Sequence, residues 1–255
     1  MALARQVGIP RMAFRLAAVY LDYNATTPVD PRVLDAMLPF FTARFGNAAS
    51  AHAVGVAARR AVEDAREKVA AAIGATAGQI VFTSGATESD NLAIKGAALA
   101  AHPCRTRVVT VATEHKAVLD ASKSLARFGI DTRVVGVDRD GLPSLDELAD
   151  TIDDDTAVVS VMAANNETGV IAPIAAIADL AHNRGALMHC DATQAVGKIP
   201  FDVRELGVDL ASFSAHKMYG PQGMGALYIK AGDRSRPGAA GKALTAQAPP
   251  PIRIR

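Results

Sequence analysis

Cysteine is scarce in this chain of 255 residues: Cys104 and Cys190 are the only two. Two thiols cannot make a disulfide framework, and their rarity suits a reducing compartment. Net charge is nearly absent too, because 27 basic side chains meet 26 acidic ones and leave +1. No overall field then draws the chain to nucleic acid or to an anionic membrane. No apolar run approaches the ~18 residues of a membrane-spanning helix. Half of the residues are nevertheless hydrophobic, and a chain this long buries roughly three quarters of its unfolded surface. Disorder, a fibrous repeat and a secreted miniprotein are thereby excluded. A soluble, alanine-rich protein of one large or two small domains is expected, with a cytoplasmic location.

The two ends differ from the middle. The first 21 residues contain Arg5, Arg11 and Arg15 and no acid before Asp22. Pro10 and Arg11 interrupt the only candidate for a signal-peptide centre. Three readings fit this start: a mitochondrial presequence, a short disordered extension, or an upstream start codon with Met12 as the true beginning. In Ala231–Arg255, Ala, Gly and Pro supply 13 of 25 residues and Asp233 is the only acid. Neither helical nor strand periodicity survives there, so disorder is expected.

Between the ends, short apolar, largely β-branched runs alternate with alanine-rich amphipathic stretches. Strands are expected at Ile80–Thr83, Arg107–Thr113, Arg133–Val137, Ala157–Met162, Ala186–His189, Leu210–Ser214 and Ala226–Ile229. Helices are expected at Gly55–Ile73, Glu88–Ala101, Ala117–Phe128, Ser144–Thr151 and Pro173–Asn183. Val62, Ala65, Val69 and Ile73 recur at spacings of 3 and 4 and make one apolar helical face. Runs apolar on both faces and separated by helices read as an α/β fold with a mostly parallel, buried sheet. Ligands of such sheets sit beyond the C-terminal strand ends, which directs attention to the strand-to-helix turns.

Five turns carry chemically useful side chains. In Thr83–Asn91 a glycine between strand and helix leaves free N–H groups and a positive helix end, a ready phosphate site to which Thr87 adds a hydroxyl. An ordinary N-cap at Thr87 or Ser89 fits the same residues. His115 follows the next strand end, where it suits stacking on a flat ring or moving a proton, or simply capping. Asn165-Asn166 tolerate a left-handed turn on their own account. In His189–Gln194, strand alternation sets His189 and Asp191 on one face and Cys190 on the other, so no metal site is expected. Asp191, an acid ending a buried apolar strand, demands a cation. In Ser212–Pro221, Lys217 lies between an apolar strand and a Gly-Pro turn, where desolvation makes an amine a nucleophile suited to imines; a lysine snorkelling to solvent is the bland alternative.

Each turn alone is unspecific. A phosphate cradle, a ring stacker, an acid seeking a cation and an imine-forming lysine together match pyridoxal 5'-phosphate, which has a phosphate, a flat ring, a protonated ring nitrogen and an aldehyde.

Six collinear segments carry a family resemblance: Tyr20–Pro28, Phe45–His52, Thr83–Asn91, Asn165–Gly169, His189–Gln194 and Ser212–Pro221. They resemble the cysteine desulfurases, pyridoxal-phosphate enzymes of the class V aminotransferase fold, and within them the branch supplying sulfur for iron–sulfur clusters and tRNA thiolation. The resemblance implies a three-layer α/β sandwich, the large cofactor domain of the aspartate-aminotransferase-like (fold type I) enzymes, over residues 20–230. Residues 1–19 are then an extension, 231–255 an unrelated tail, and the C-terminal small domain is missing. It further implies that Lys217 condenses with the cofactor, that His115 stacks on the ring and moves protons, and that Asp191 pairs with the ring nitrogen. Asn166 and Gln194 fall where the ring and its hydroxyl are contacted; Ala86, Thr87, Ser214 and His216 fall where phosphate is bound. L-cysteine is the implied substrate, a homodimer the implied assembly, and a sulfur-acceptor or scaffold protein the implied partner. Neither Cys104 nor Cys190 occupies the family's nucleophile position. A non-catalytic cofactor-binding fragment, a selenocysteine lyase and an aminotransferase are the alternatives.

Overall fold

The structure, a computed structural model, describes residues 19–230. The expected extension up to residue 18 and the tail from 231 onward lie outside the described residues.

Seven strands form one sheet: β1 (Ile80–Thr83), β2 (Arg107–Val111), β3 (Asp131–Val135), β4 (Thr156–Ser160), β5 (Leu187–Asp191), β6 (Leu210–Ser214) and β7 (Gly225–Ile229). Their order is β1-β7-β6-β5-β4-β2-β3. Every neighbouring pair from β6 to β3 is parallel, whereas β7 runs antiparallel to both β6 and β1. Reversal of β7 leaves β1, β2, β4, β5 and β6 all pointing one way. Their C-terminal ends therefore share one edge, to which β7 brings its N-terminal end.

After α1 (Pro31–Phe41), which adds nothing to the core, helices α2 (Ala53–Ala72), α3 (Ala86–Ala101), α4 (Lys116–Lys123), α5 (Leu145–Thr151) and α6 (Ile174–Asn183) pack on the two faces. Alternation along the strands feeds two apolar layers. Val108, Val158, Leu210 and Leu227 pack with Ala93, Ile94 and Ala97 of α3 and Val118 of α4. Their neighbours Val109, Val159, Ala211 and Tyr228 pack on the other side with Ile73, Leu148 of α5 and Ile177 of α6. The result is the expected three-layer α/β sandwich. Small alanines on α3 let it lie close to the sheet, which fixes the direction of its N-terminus.

Several boundaries differ from the periodicity reading. β2 ends at Val111 rather than Thr113, and β4 at Ser160 rather than Met162, because pairing between them stops at Thr110 and Ser160. The predicted helix ending at Phe128 is α only to Lys123 and continues as a 3₁₀ turn over Ser124–Phe128. α1 was not predicted; Asp30 caps it and Pro31 opens it, and none of its residues is buried. The expected apolar face of α2 is only half covered. Ala70 and Ile73 are buried, but Val62 is 38% exposed, and the helix meets the sheet at β1.

Candidate functional site

At the shared strand edge lies a cavity of about 820 Å³, within the usual size of ligand pockets. Ala86, Thr87, His115, Asn166, Asp191, Gln194, Ser214, His216 and Lys217 all line it. Turns separated by up to 131 positions in sequence thus meet around one space.

One end of the cavity is built for an anion. Gly85 is the N-cap of α3 and supplies no side-chain acceptor. The first α3 amide with a backbone acceptor is that of Ser89, to Gly85 O at 3.1 Å. The amides of the preceding turn are left for a ligand, at the positive end of a 16-residue helix. The N-cap expected of Thr87 or Ser89 is not formed. Ser89 Oγ lies 2.8 Å from Thr83 Oγ1 and donates to Gly85 O, turned away from the helix end. Ser214 has only a long bond, 3.4 Å, to Met224 O, so its hydroxyl is free to turn to the cavity. Gly225 makes the crowding here possible: a Cβ on it would stand 2.6 Å from Gly85 Cα.

The other end is acidic and buried. Asp191 closes β5 and accepts from the Thr193 amide at 2.9 Å. Burial raises its carboxyl pKa, against the Thr193 hydrogen bonds and the nearby charges of His115 and Lys217. Among the described residues no cation forms a salt bridge with it. His115 caps α4, its Nδ1 accepting from the Ala117 amide at 3.1 Å. Capping and a place on the cavity wall are therefore not alternatives for this residue. With Nδ1 accepting, the neutral ring carries its proton on Nε2.

Lys217 sits in a short 3₁₀ turn after β6. Its Nζ donates to Asn24 O at 2.6 Å and Ala25 O at 2.7 Å. Burial lowers its pKa, while Asp191 and Asp22 pull the other way. The amine is half-buried over the cavity rather than snorkelling into solvent. Residues 26–30 clamp its turn: Thr27 N and Thr27 Oγ1 both donate to His216 O at 2.9 Å, and Tyr219 N donates to Thr27 Oγ1 at 2.8 Å. Tyr219 adopts φ 63°, a left-handed backbone that a bulky residue holds only when its surroundings force it.

Asn24 was not singled out as a site residue from sequence, although the motif containing it was. Its carbonyl also accepts from Gln194 Nε2 at 2.8 Å, and its Nδ2 donates to Asn166 O at 3.1 Å. Lys198 joins this group by donating to Gln194 Oε1 and to Asn24 Oδ1. The two adjacent asparagines divide their work. Asn165 holds its loop, donating to Thr113 O at 3.0 Å, while Asn166 lines the cavity. Asp90, which lines the cavity, and the buried Glu114 and His189 are ionisable groups to which the sequence reading gave no part in the site.

The group that would fit here must offer an anion to the uncapped helix, a positive or protonated atom to Asp191, and a carbonyl to Lys217. Pyridoxal 5'-phosphate meets all three conditions. The buried, unpaired carboxylate of Asp191 is the feature hardest to explain without such a cation.

Residues 19–243 match the family described as Aminotransferase class-V, which carries the match past Lys230, where the motif resemblance ends. The chain is 57% identical over 219 residues to the cysteine desulfurase IscS of Anaeromyxobacter sp. (strain K), covering 86% of this chain and 54% of that one. The corresponding protein of Rickettsia akari is 50% identical, with 86% and 53% covered. The chain spans about half the length of these curated relatives. A solved NifS-like protein superposes with a TM-score of 0.82 at 41% identity, covering 89% of this chain and 69% of its own. Another, from Rickettsia africae, gives 0.73 at 33% identity, with 83% and 57% covered. This chain belongs to the class-V aminotransferase family.

Proposed function

We propose that this chain is the cofactor-binding part of a cysteine desulfurase that holds pyridoxal 5'-phosphate through Lys217. In the overall reaction L-cysteine and an acceptor thiol give L-alanine and a persulfide, so one sulfur atom moves from carbon to sulfur. When bound, the cofactor supplies an electron-withdrawing ring that stabilises charge developing on a substrate carbon. The residues of this chain do the rest. Lys217, its ammonium disfavoured by burial, would hold the aldehyde end, with the Asn24 and Ala25 carbonyls beside its Nζ. Asp191 holds positive charge at the ring nitrogen. His115 covers the ring and carries a proton at Nε2, with its Nδ1 committed to α4. Asn166 and Gln194 orient the ring hydroxyl. The amides of Ala86 and Thr87, the hydroxyls of Thr87 and Ser214, and His216 take the phosphate.

The buried Asp191 carboxylate facing an amine across a cavity with an anion-binding end is the observation that carries this reading. The relatives' names support cysteine as the substrate; sulfur supply for iron–sulfur clusters or tRNA thiolation, a cytoplasmic location and a homodimer belong to the same proposal. Neither Cys104, exposed on a turn, nor Cys190, buried within β5, is placed to accept sulfur. That placement favours, as a second reading, a unit that binds the cofactor without turning over cysteine. The test has two readouts. The purified full chain, supplied with the cofactor, should gain a visible absorbance that Lys217→Ala lacks. Alanine formed from cysteine in the presence of a thiol reductant then separates the enzyme from the binding unit, and a wild-type chain that never takes up the cofactor refutes both.

A further inference from the structure

Glu114 lies between the end of β2 and His115, yet the proposed chemistry does not use it. It is buried, and one of its carboxyl oxygens, Oε2, has no hydrogen-bond partner. The other, Oε1, accepts from the Met162 amide. The topology explains why that amide needs a side chain. Ladder pairing of β2 with β4 ends at Thr110 and Ser160. Beyond it, the Ala112 amide turns to Val135 O on β3, at 2.9 Å. On the opposite side the β4 extension stays paired to β5, through Val161 N to His189 O at 3.1 Å and Ala163 N to Asp191 O at 2.9 Å. Alternation therefore aims the Met162 amide at the place β2 has just left. A buried amide without an acceptor is costly, and Glu114 fills the gap. Asn165 ties the same two segments in the reverse direction, from Nδ2 to Thr113 O at 3.0 Å. Thr113 and Glu114 precede His115; Asn165 precedes Asn166. One wall residue and the loop facing it are thus cross-linked twice.

We propose that Glu114 is a positioning residue: its carboxyl, uncharged, stands in for the missing strand acceptor of Met162 and so fixes the His115 turn against the Asn166 loop. Asp191 is then left as the charged carboxyl of the floor. Burial, and next the charge of Asp191, push the Glu114 carboxyl well above its ordinary range, which agrees with the neutral form. Burial and Asp191 also raise Asp90, whose two oxygens accept no hydrogen bond, Oδ1 lying 3.7 Å from His189 Nε2. Of the three carboxyls, Asp191 has both a backbone amide and the nearby ammonium of Lys217.

This inference rests on the cofactor reading above, and the experiment keeps the two apart. The full chain and its Glu114→Gln, Glu114→Ala and Glu114→Asp variants are titrated with pyridoxal 5'-phosphate, following visible absorbance and the circular dichroism of the bound band. Glutamine keeps an uncharged acceptor at the same reach, so its affinity should stay within about threefold of wild type and its dichroic band should persist. Alanine leaves the Met162 amide unpaired and should weaken binding about tenfold or more, with a reduced dichroic band. Where alanine fails to fold, aspartate decides: one methylene shorter, it withdraws the carboxyl and should bind about tenfold more weakly than glutamine. A general loss of stability would lower the melting temperature of the unloaded chain without this order of variants. A wild-type chain that binds no cofactor overturns the functional reading and this inference with it. A wild-type chain that binds, with glutamine as poor as alanine or with aspartate better than glutamine, overturns the inference alone and makes the charge the important property.

Discussion

Gly225→Ala is the substitution whose effect follows most directly from the packing around the cavity. An alanine Cβ there would lie 2.6 Å from Gly85 Cα, 2.7 Å from Gly85 C and 2.8 Å from Phe213 O. All three neighbours are backbone atoms, so no side chain can rotate away. Reaching an ordinary contact of 3.4 Å requires Gly85 and β7 to part by about 0.8 Å. Overpacking of this kind costs about 1–3 kcal/mol. For a domain of this length that corresponds to a melting temperature lower by roughly 2–12 °C. The displaced residue is also the N-cap of α3, so the amides that face the anion move with it, and misplacements near 1 Å cost up to ~100-fold in site function. Melting of the unloaded full chain measures the first effect. Titration with pyridoxal 5'-phosphate and with pyridoxal, which lacks the phosphate, measures the second: the variant should lose about tenfold or more in affinity for the phosphorylated form and little for the other. Gly78→Ala is the control, with nothing within 4 Å of its Cβ, and should lie within about 0.5 kcal/mol of wild type. A Gly225→Ala chain that melts like wild type and keeps its preference for the phosphate would refute the assignment of the anion end.

Two other substitutions test the electrostatics of the layers. His189 is fully buried between Ser160 Oγ at 2.8 Å and Ser212 Oγ at 2.9 Å, and burial depresses its pKa from 6.5 to about 3. Below pH 6.5 the unfolded chain binds a proton that the native one refuses, so stability should fall as pH drops toward 3. The contribution is about 1.4 kcal/mol per pH unit; urea unfolding across this range should show a shallower slope for His189→Gln, and parallel slopes would contradict the buried neutral ring. Asp209 is opposed by burial, but hydrogen bonds from His182 and the Met188 amide, with the charges of His182 and Lys230, prevail and lower its pKa. Its contribution is present at neutral pH and is lost as pH falls through that lowered value. Asp209→Asn should therefore cost about 1–3 kcal/mol at pH 7, with the gap to wild type closing in acid; a gap that stays constant with pH would assign the effect to packing instead.

Much of this fold is legible in the linear pattern, because each central strand is apolar on both faces and each crossover helix carries its own apolar stripe. Direction is not legible. β7 is as uniformly buried as β6, and nothing in its composition says that it runs the other way. α1 escaped because no residue of it is buried, so its pattern has no core to answer to, although Asp30-Pro31 is a helix start. The cavity residues announce themselves by chemistry at strand ends: Lys217, Asp191 and His115 each sit where a strand stops. Glu114 and Asn24 do not, because what they do depends on partners far away in sequence. Glu114 meets an amide 48 positions on, and Asn24 receives an amine 193 positions on. Such roles appear only once the sheet order brings the partners together.

The most direct measurement is chemical. The full chain is saturated with pyridoxal 5'-phosphate, reduced with borohydride, digested, and its peptides weighed. The expected result is one cofactor-bearing peptide, containing Lys217, that disappears in Lys217→Ala. An unmodified Lys217 peptide from the saturated protein, or a label carried instead by Lys198 or another lysine, would contradict the assignment of this cavity.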